Sequence, residues 1–198
     1  TSTKREQTLQ EVPLAVSVVN ARTIEQAQIR DIIDLQGMVP SLRWNKTSAD
    51  WQIHILTPKA HPLESLAESL TRETDSVSVT AKLMDDLARD SRSLHLFAKR
   101  ELRSTNNSRL LLLVDQFEEL FALCRSAEER ASFIDNLLTA ASEEDGSTVI
   151  IITLRADLYA HCANYPQLRE ALAQHQEFIG AMTNDELCRA IEEPARRG

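Results

Sequence analysis

Two short apolar runs with an amphipathic helix between them constrain this chain more than any other feature. Residues 110–114 read Leu-Leu-Leu-Leu-Val and residues 148–154 read Thr-Val-Ile-Ile-Ile-Thr-Leu. Each run is flanked by turn residues, too short for a helix, and apolar without alternation, which is the pattern of a strand buried on both faces. Between them, residues 127–141 carry Phe133, Ile134, Leu137 and Leu138 at helical spacing. Strand, crossover helix, strand predicts two adjacent parallel strands with a right-handed connection. The expected fold is therefore α/β, with helices layered on a parallel sheet in three layers.

The rest of the chain adds to that unit at both ends. Residues 51–57 read as a strand, while residues 62–70 and 80–102 read as helices, with Leu63, Leu66 and Leu70 and then Leu83, Leu87 and Leu94 at loosely helical spacing. Pro166 is placed to start a further helix. A short strand is expected over 177–181, and Thr183-Asn-Asp-Glu186 is a capping box for a last helix ending at Pro194. Upstream, Val12, Leu14, Val16 and Val18 alternate with smaller or polar residues, as in a half-buried strand. Thr23-Ile-Glu-Gln26 opens one short helix, and a second runs from Asp31 to a stop at Gly37. Residues 44–50 have no periodicity and form the expected linker, dividing a strand-helix-helix leader (1–43) from the main domain (51–198).

Charge and composition exclude several classes of function. The 198 residues carry a net charge of -8. Residues 1–44 hold five basic and five acidic side chains, so that charge belongs to the remainder. An acidic chain with 5% aromatic residues is a poor partner for nucleic acid, where affinity comes from neutralising phosphates. No apolar run approaches the roughly 20 residues that span a bilayer. The three cysteines, Cys124, Cys162 and Cys188, are widely spaced and read as reduced thiols in a cytoplasmic setting. They and the five histidines lack zinc-ligand or nucleophile-base spacing. The four glycines, at 37, 146, 180 and 198, cannot build a glycine-rich phosphate loop within this chain.

The most informative string is Asp115-Gln-Phe-Glu-Glu119, directly after the first apolar run. Ligands of open parallel sheets sit beyond the carboxyl ends of the strands. A carboxylate at Asp115 can hold the water shell of Mg²⁺, and Glu118 or Glu119 can orient an attacking water. From spacing alone the reading that comes first is a helix cap at Asp115, with Glu118 returning at the third helical position. Arg155, in Thr153-Leu-Arg-Ala-Asp157, ends the second run and is expected beside Asp115 across one strand spacing. It is there either to meet a phosphate or to pair with Asp115, Glu118 or Asp157. Leu120, Phe121 and Leu123 read as core.

Taken together, several strings resemble the STAND-type P-loop ATPase domain often found ahead of WD repeats in bacterial signalling proteins. They are Asp115-Gln-Phe-Glu-Glu-Leu-Phe121, Thr153-Leu-Arg-Ala-Asp-Leu-Tyr159 with His161-Cys162, Met182-Thr-Asn-Asp-Glu-Leu187 and Ile191-Glu-Glu-Pro-Ala-Arg196. Thr57-Pro-Lys-Ala-His-Pro-Leu63 extends the likeness, which runs from about residue 51 to 198. The resemblance implies a nucleotide-switched signal transducer using ATP and Mg²⁺, with a second copy or adjacent domains such as WD repeats as partners. It makes Asp115 the Walker B acid and magnesium-water ligand, Glu118 or Glu119 the water-positioning carboxylate, and Arg155 the sensor arginine. The family's Walker A loop has no counterpart among the four glycines, so the chain alone is expected to be inactive. Residues 1–43, with Lys4-Arg-Glu-Gln-Thr-Leu-Gln-Glu-Val-Pro-Leu-Ala-Val-Ser-Val-Val19 and Val39-Pro-Ser-Leu-Arg43, resemble instead the opening of the plug domain of TonB-dependent outer-membrane receptors. That second likeness implies an outer-membrane binding module and a leader of separate origin, joined between residues 43 and 51.

Overall fold

The computed structural model describes residues 14–18, 50–72, 76–105, 107–143, 147–179, 188 and 192. In chain order these form β1 (Leu14–Val18), β2 (Trp51–Leu56), α1 (Pro62–Thr71), α2 (Val77–Arg89), α3 (Ser93–Thr105), β3 (Arg109–Val114) and α4 (Glu119–Leu123). There follow α5 (Ala127–Ser142), β4 (Thr148–Arg155), a 3₁₀ segment (Ala156–Asn164), α6 (Pro166–Gln174) and β5 (Gln176–Ile179). The two leader helices, residues 44–49 of the linker and the capping box at 183–186 lie outside the described residues.

The fold is α/β. β2, β3 and β4 run parallel and adjacent, with Leu56 opposite Val114 and Val114 opposite Ile152. The crossover through α5 is thus the one the two apolar runs call for. Leu110, Leu112, Val114, Ile150, Ile152 and Leu154 face one side of the sheet and join a single core cluster with the buried faces of the helices. Leu111, Leu113, Val149 and Ile151 face the other side and are buried as well, which is why neither strand alternates in sequence. α1 begins with Pro62 in its first turn and buries Leu63, Leu66 and Leu70 along one stripe. In α5, Ser126 caps the helix by accepting the Glu129 N–H at 3.1 Å, and Phe133, Ile134, Leu137 and Leu138 are buried.

Two expectations are corrected. The single helix expected over 80–102 is two helices, α2 and α3, parted at Asp90. That residue is extended, and its Oδ1 accepts the Arg92 N–H at 2.9 Å in a side-chain turn that competes with helix. The break is stabilised from outside by Asn136 of α5, fully buried, whose Nδ2 donates to the Leu87 carbonyl at 2.8 Å while its Oδ1 accepts the Leu94 N–H at 3.2 Å. Leu123, read as core, is 48% exposed, whereas Leu120 is buried and Phe121 packs against the core.

One strand of the leader is among the described residues. The sheet order is β2-β3-β4-β1-β5. β1 lies inside the sheet, antiparallel to both β4 and β5, with Leu14 opposite Arg155 and opposite Ile179. Its backbone is therefore part of the sheet. β4 and β5 share one direction, so β1 is the single reversed strand and the sheet is mixed, not wholly parallel.

Candidate functional site

Asp115 follows the last residue of β3, and its backbone N–H continues the ladder by donating to the Leu56 carbonyl of β2 at 2.8 Å. One register step beyond Val114 and Ile152, its neighbour on β4 is Thr153, not Arg155. The Thr153 hydroxyl donates to Asp115 Oδ1 at 2.6 Å and accepts the Gln116 N–H at 3.0 Å, while the Thr153 carbonyl accepts the Phe117 N–H at 2.9 Å. One threonine thus holds both the carboxylate and the turn that follows it. Among the described residues, no hydrogen bond reaches Asp115 Oδ2, and the side chain is half-buried at the sheet's edge.

The turn over residues 115–118 is shaped by two side chains of opposite character. Gln116 has φ 53°, in the left-handed region, and Phe117 turns inward and is fully buried against Phe121 and Phe133. α4 then starts at Glu119, so Asp115 does not cap a helix. Its carboxylate is held by β4. Glu118 is half-buried, and its Oε2 is shielded from solvent without a hydrogen-bond partner among the described residues. Glu119, also half-buried, donates its N–H to the Gln116 carbonyl at 2.9 Å.

Arg155 lies two residues further along β4 and forks onto Asp157, with Nε and Nη2 at 3.2 and 2.9 Å from its two carboxylate oxygens. That hydrogen-bonded pairing, and then the charge attraction within it, raises the guanidinium above its ordinary range; the Glu118 carboxylate adds to the effect. Of the three pairings open in the sequence, Asp157 is the direct one, while Glu118 acts on Arg155 through its field.

A second left-handed residue borders the same edge. Lys59, in the loop after β2, has φ 56° and is exposed. Lys59 and Gln116 are the only non-glycine residues with positive φ among those described, and both follow neighbouring parallel strands at their carboxyl ends. Each carries a conformational cost of about 1–2 kcal/mol that a glycine would not. Strain of this kind collects where a surface is shaped for a task.

The donor set decides what the edge can hold. Asp115, with one oxygen fixed and one open, suits the water shell of Mg²⁺, which is usually bound through one or two carboxylates and retained waters. Asp115, Glu118 and Glu119 do not suit a triphosphate by themselves, since the nearby guanidinium is already engaged by Asp157. Among the described residues no group of three histidine, cysteine or carboxylate side chains converges as a metal cage. Burial pushes the Cys162 thiol up to about 12, so this thiol is held in its neutral form.

Thr153 and Gln116 are the site residues that motif reasoning passed over. The signal for Thr153 is a hydroxyl one place after three isoleucines, at the strand position that must face Asp115. For Gln116 and Lys59 no glycine marks the left-handed backbone.

A mostly parallel α/β sheet with an acidic turn held at the carboxyl ends of its strands defines the core of a P-loop type domain, here in part. The chain belongs to the novel STAND NTPase 1 family, whose model matches residues 35–198. The match begins upstream of the expected linker at residues 44–50. No curated protein and no solved structure matches the chain.

Proposed function

We propose that this chain carries the Walker B half of a nucleotide-switched signalling domain of STAND type, with Asp115 as the residue that holds a magnesium-bound water. The observation that supports it is the 2.6 Å hydrogen bond from Thr153, which fixes one carboxylate oxygen of Asp115 and leaves the other open at the sheet's edge. When bound, Mg²⁺ would supply charge neutralisation toward phosphate oxygens. Glu118 is the better candidate of the two glutamates to orient a water, because its Oε2 is shielded from solvent and unpaired while Glu119 is committed to the start of α4. Arg155 is a sensor only after leaving Asp157, so its role requires a competing anion.

The chain alone neither binds ATP tightly nor hydrolyses it. Phosphoryl transfer depends on backbone amides and a lysine that cradle the β- and γ-phosphates. The four glycines at 37, 146, 180 and 198 leave this chain without such a cradle, and three carboxylates repel a polyanion. Signal input and output then belong to adjacent domains or to a second copy.

The test is a titration of the 198-residue chain with Mn²⁺ as a magnesium probe, read by electron paramagnetic resonance, beside a phosphate-release assay. Saturable Mn²⁺ binding lost in Asp115→Asn, with no ATP turnover in either chain, is the expected pair of results. Equal Mn²⁺ binding in both chains removes Asp115 from the role. Turnover in the parent that Asp115→Asn abolishes overturns the inactivity.

A further inference from the structure

α2 and α3 enclose an open groove of about 750 Å³ that plays no part in the site above. Its walls are regular. From α2 come Ser78, Val79, Lys82, Leu83, Asp86 and Arg89, and from α3 come Ser93, Leu96, Phe97 and Arg100. Each set follows i, i+3, i+4, i+7 spacing, so each helix presents one continuous stripe. Leu83 and Phe97 form a buried apolar floor. Above it, Val79 and Leu96 are 38% and 55% exposed, and they are two of the five large apolar side chains exposed among the described residues.

The charge of this hairpin is opposite to that of the protein. Residues 77–105 hold six basic and four acidic side chains, a net +2, which leaves -10 for the remainder of a chain whose total is -8. Three of those cations, Lys82, Arg89 and Arg100, border the groove. Their neutralisation is weak. Arg89 has Asp85 at 4.0 Å, Arg100 has Glu101 at 3.5 Å and stacks over Phe97 at 5.2 Å, and Lys82 has no ion-pair partner among the described residues. Of the two lining carboxylates, Asp90 is already held by Arg92 at 3.0 Å, which keeps it below the usual carboxylate range. Asp86 is the one lining carboxylate without an ion-pair partner among the described residues.

We infer that this groove docks an acidic amphipathic helix of a partner protein, its apolar stripe on Leu83, Leu96 and Phe97 and its carboxylates against Lys82, Arg89 and Arg100. Two facing helical stripes with an apolar floor are the geometry that receives a third helix. The cationic border selects the sign of the partner's flanks and rejects basic helices.

The probe is a synthetic helical peptide with leucines at i, i+3, i+4 and i+7 and glutamates on both flanks, compared with the same peptide carrying lysines. Binding to the full 198-residue chain is followed by fluorescence anisotropy. The acidic peptide is expected to bind at least about tenfold more tightly than the basic one, a difference of about 1.4 kcal/mol. Leu96→Asp, at an exposed position, should weaken it by about tenfold or more. The double variant Lys82→Glu, Arg100→Glu should reverse the preference and bind the lysine peptide. That rescue excludes unfolding as the cause of the loss. Equal binding of the two peptides, or no saturable binding of either, overturns the inference. So does concentration-dependent self-association that Leu96→Asp abolishes, since the occupant would then be a second copy of this chain.

Discussion

Thr153 makes three hydrogen bonds around Asp115, two through its hydroxyl and one through its carbonyl, and a methyl group of equal size makes neither of the hydroxyl's two. Thr153→Val keeps the shape, leaves the Gln116 N–H without its acceptor, and frees the second oxygen of Asp115. Thr153 is buried, so a loss of about 1–3 kcal/mol is expected, read as a lower urea midpoint at unchanged slope. An unchanged midpoint would show that water replaces the hydroxyl. Arg155 and Asp157 set a pH dependence of known sign. The guanidinium's hydrogen bonds hold the Asp157 carboxyl below its ordinary value in the folded chain. Its contribution is therefore present above the unfolded carboxylate value of about 3.9 and is lost as pH falls through the lower folded value. Stability profiles below about pH 4 should fall less steeply in Asp157→Asn than in the parent; parallel profiles would place the acid sensitivity elsewhere. At this scale Asp115 was legible, since an acid directly after a doubly buried strand has few places to go. Its partner was not, because identifying Thr153 requires the register between two strands 38 residues apart in sequence.

Among the elements, α2, α3 and α5 depend on one amide. Asn136 satisfies a carbonyl at the end of α2 and an N–H at the start of α3, and it also donates to the Ser132 carbonyl of its own helix at 2.8 Å. Asn136→Leu fits the apolar surroundings but leaves the Leu87 carbonyl and the Leu94 N–H buried without partners. The expected cost is about 2–4 kcal/mol, measured by chemical unfolding. Amides of Leu94 to Phe97 should lose hydrogen-exchange protection first, and uniform loss across the domain would contradict the local role. Most elements could be read from periodicity, because β3, β4 and α5 each carry an unambiguous pattern. The break between α2 and α3 could not. Leu83, Leu87 and Leu94 keep helical spacing across it, and what ends α2 is a side chain from another helix together with the Asp90 turn. The visible hint was Asn136 itself, a polar residue on the apolar face between Phe133 and Leu137.

Across the whole molecule, β1 converts the parallel set β2-β3-β4 into a five-stranded mixed sheet. Composition argued for a leader of separate character, and compositional balance carries no information about strand pairing, so this placement had no signature in the sequence. A chain beginning at residue 19 exposes the free edge of β4 from Ile151 to Arg155, and open edges recruit other chains. Size-exclusion chromatography with light scattering should find larger species than in the parent at equal concentration. Identical elution would mean that β1 is dispensable to the sheet. The slot that β1 fills has an order in time as well as in space. β1 leaves the ribosome first among the five described strands, yet one wall of its slot, β5, ends at Ile179, so the slot is complete only after the intervening residues are made. At bacterial or eukaryotic rates of about 5–20 residues per second, that interval is roughly ten to thirty seconds. At least until β4 is finished at Arg155 the apolar segment has no partner strand, so a strand made early completes its pairing among the last in the sheet.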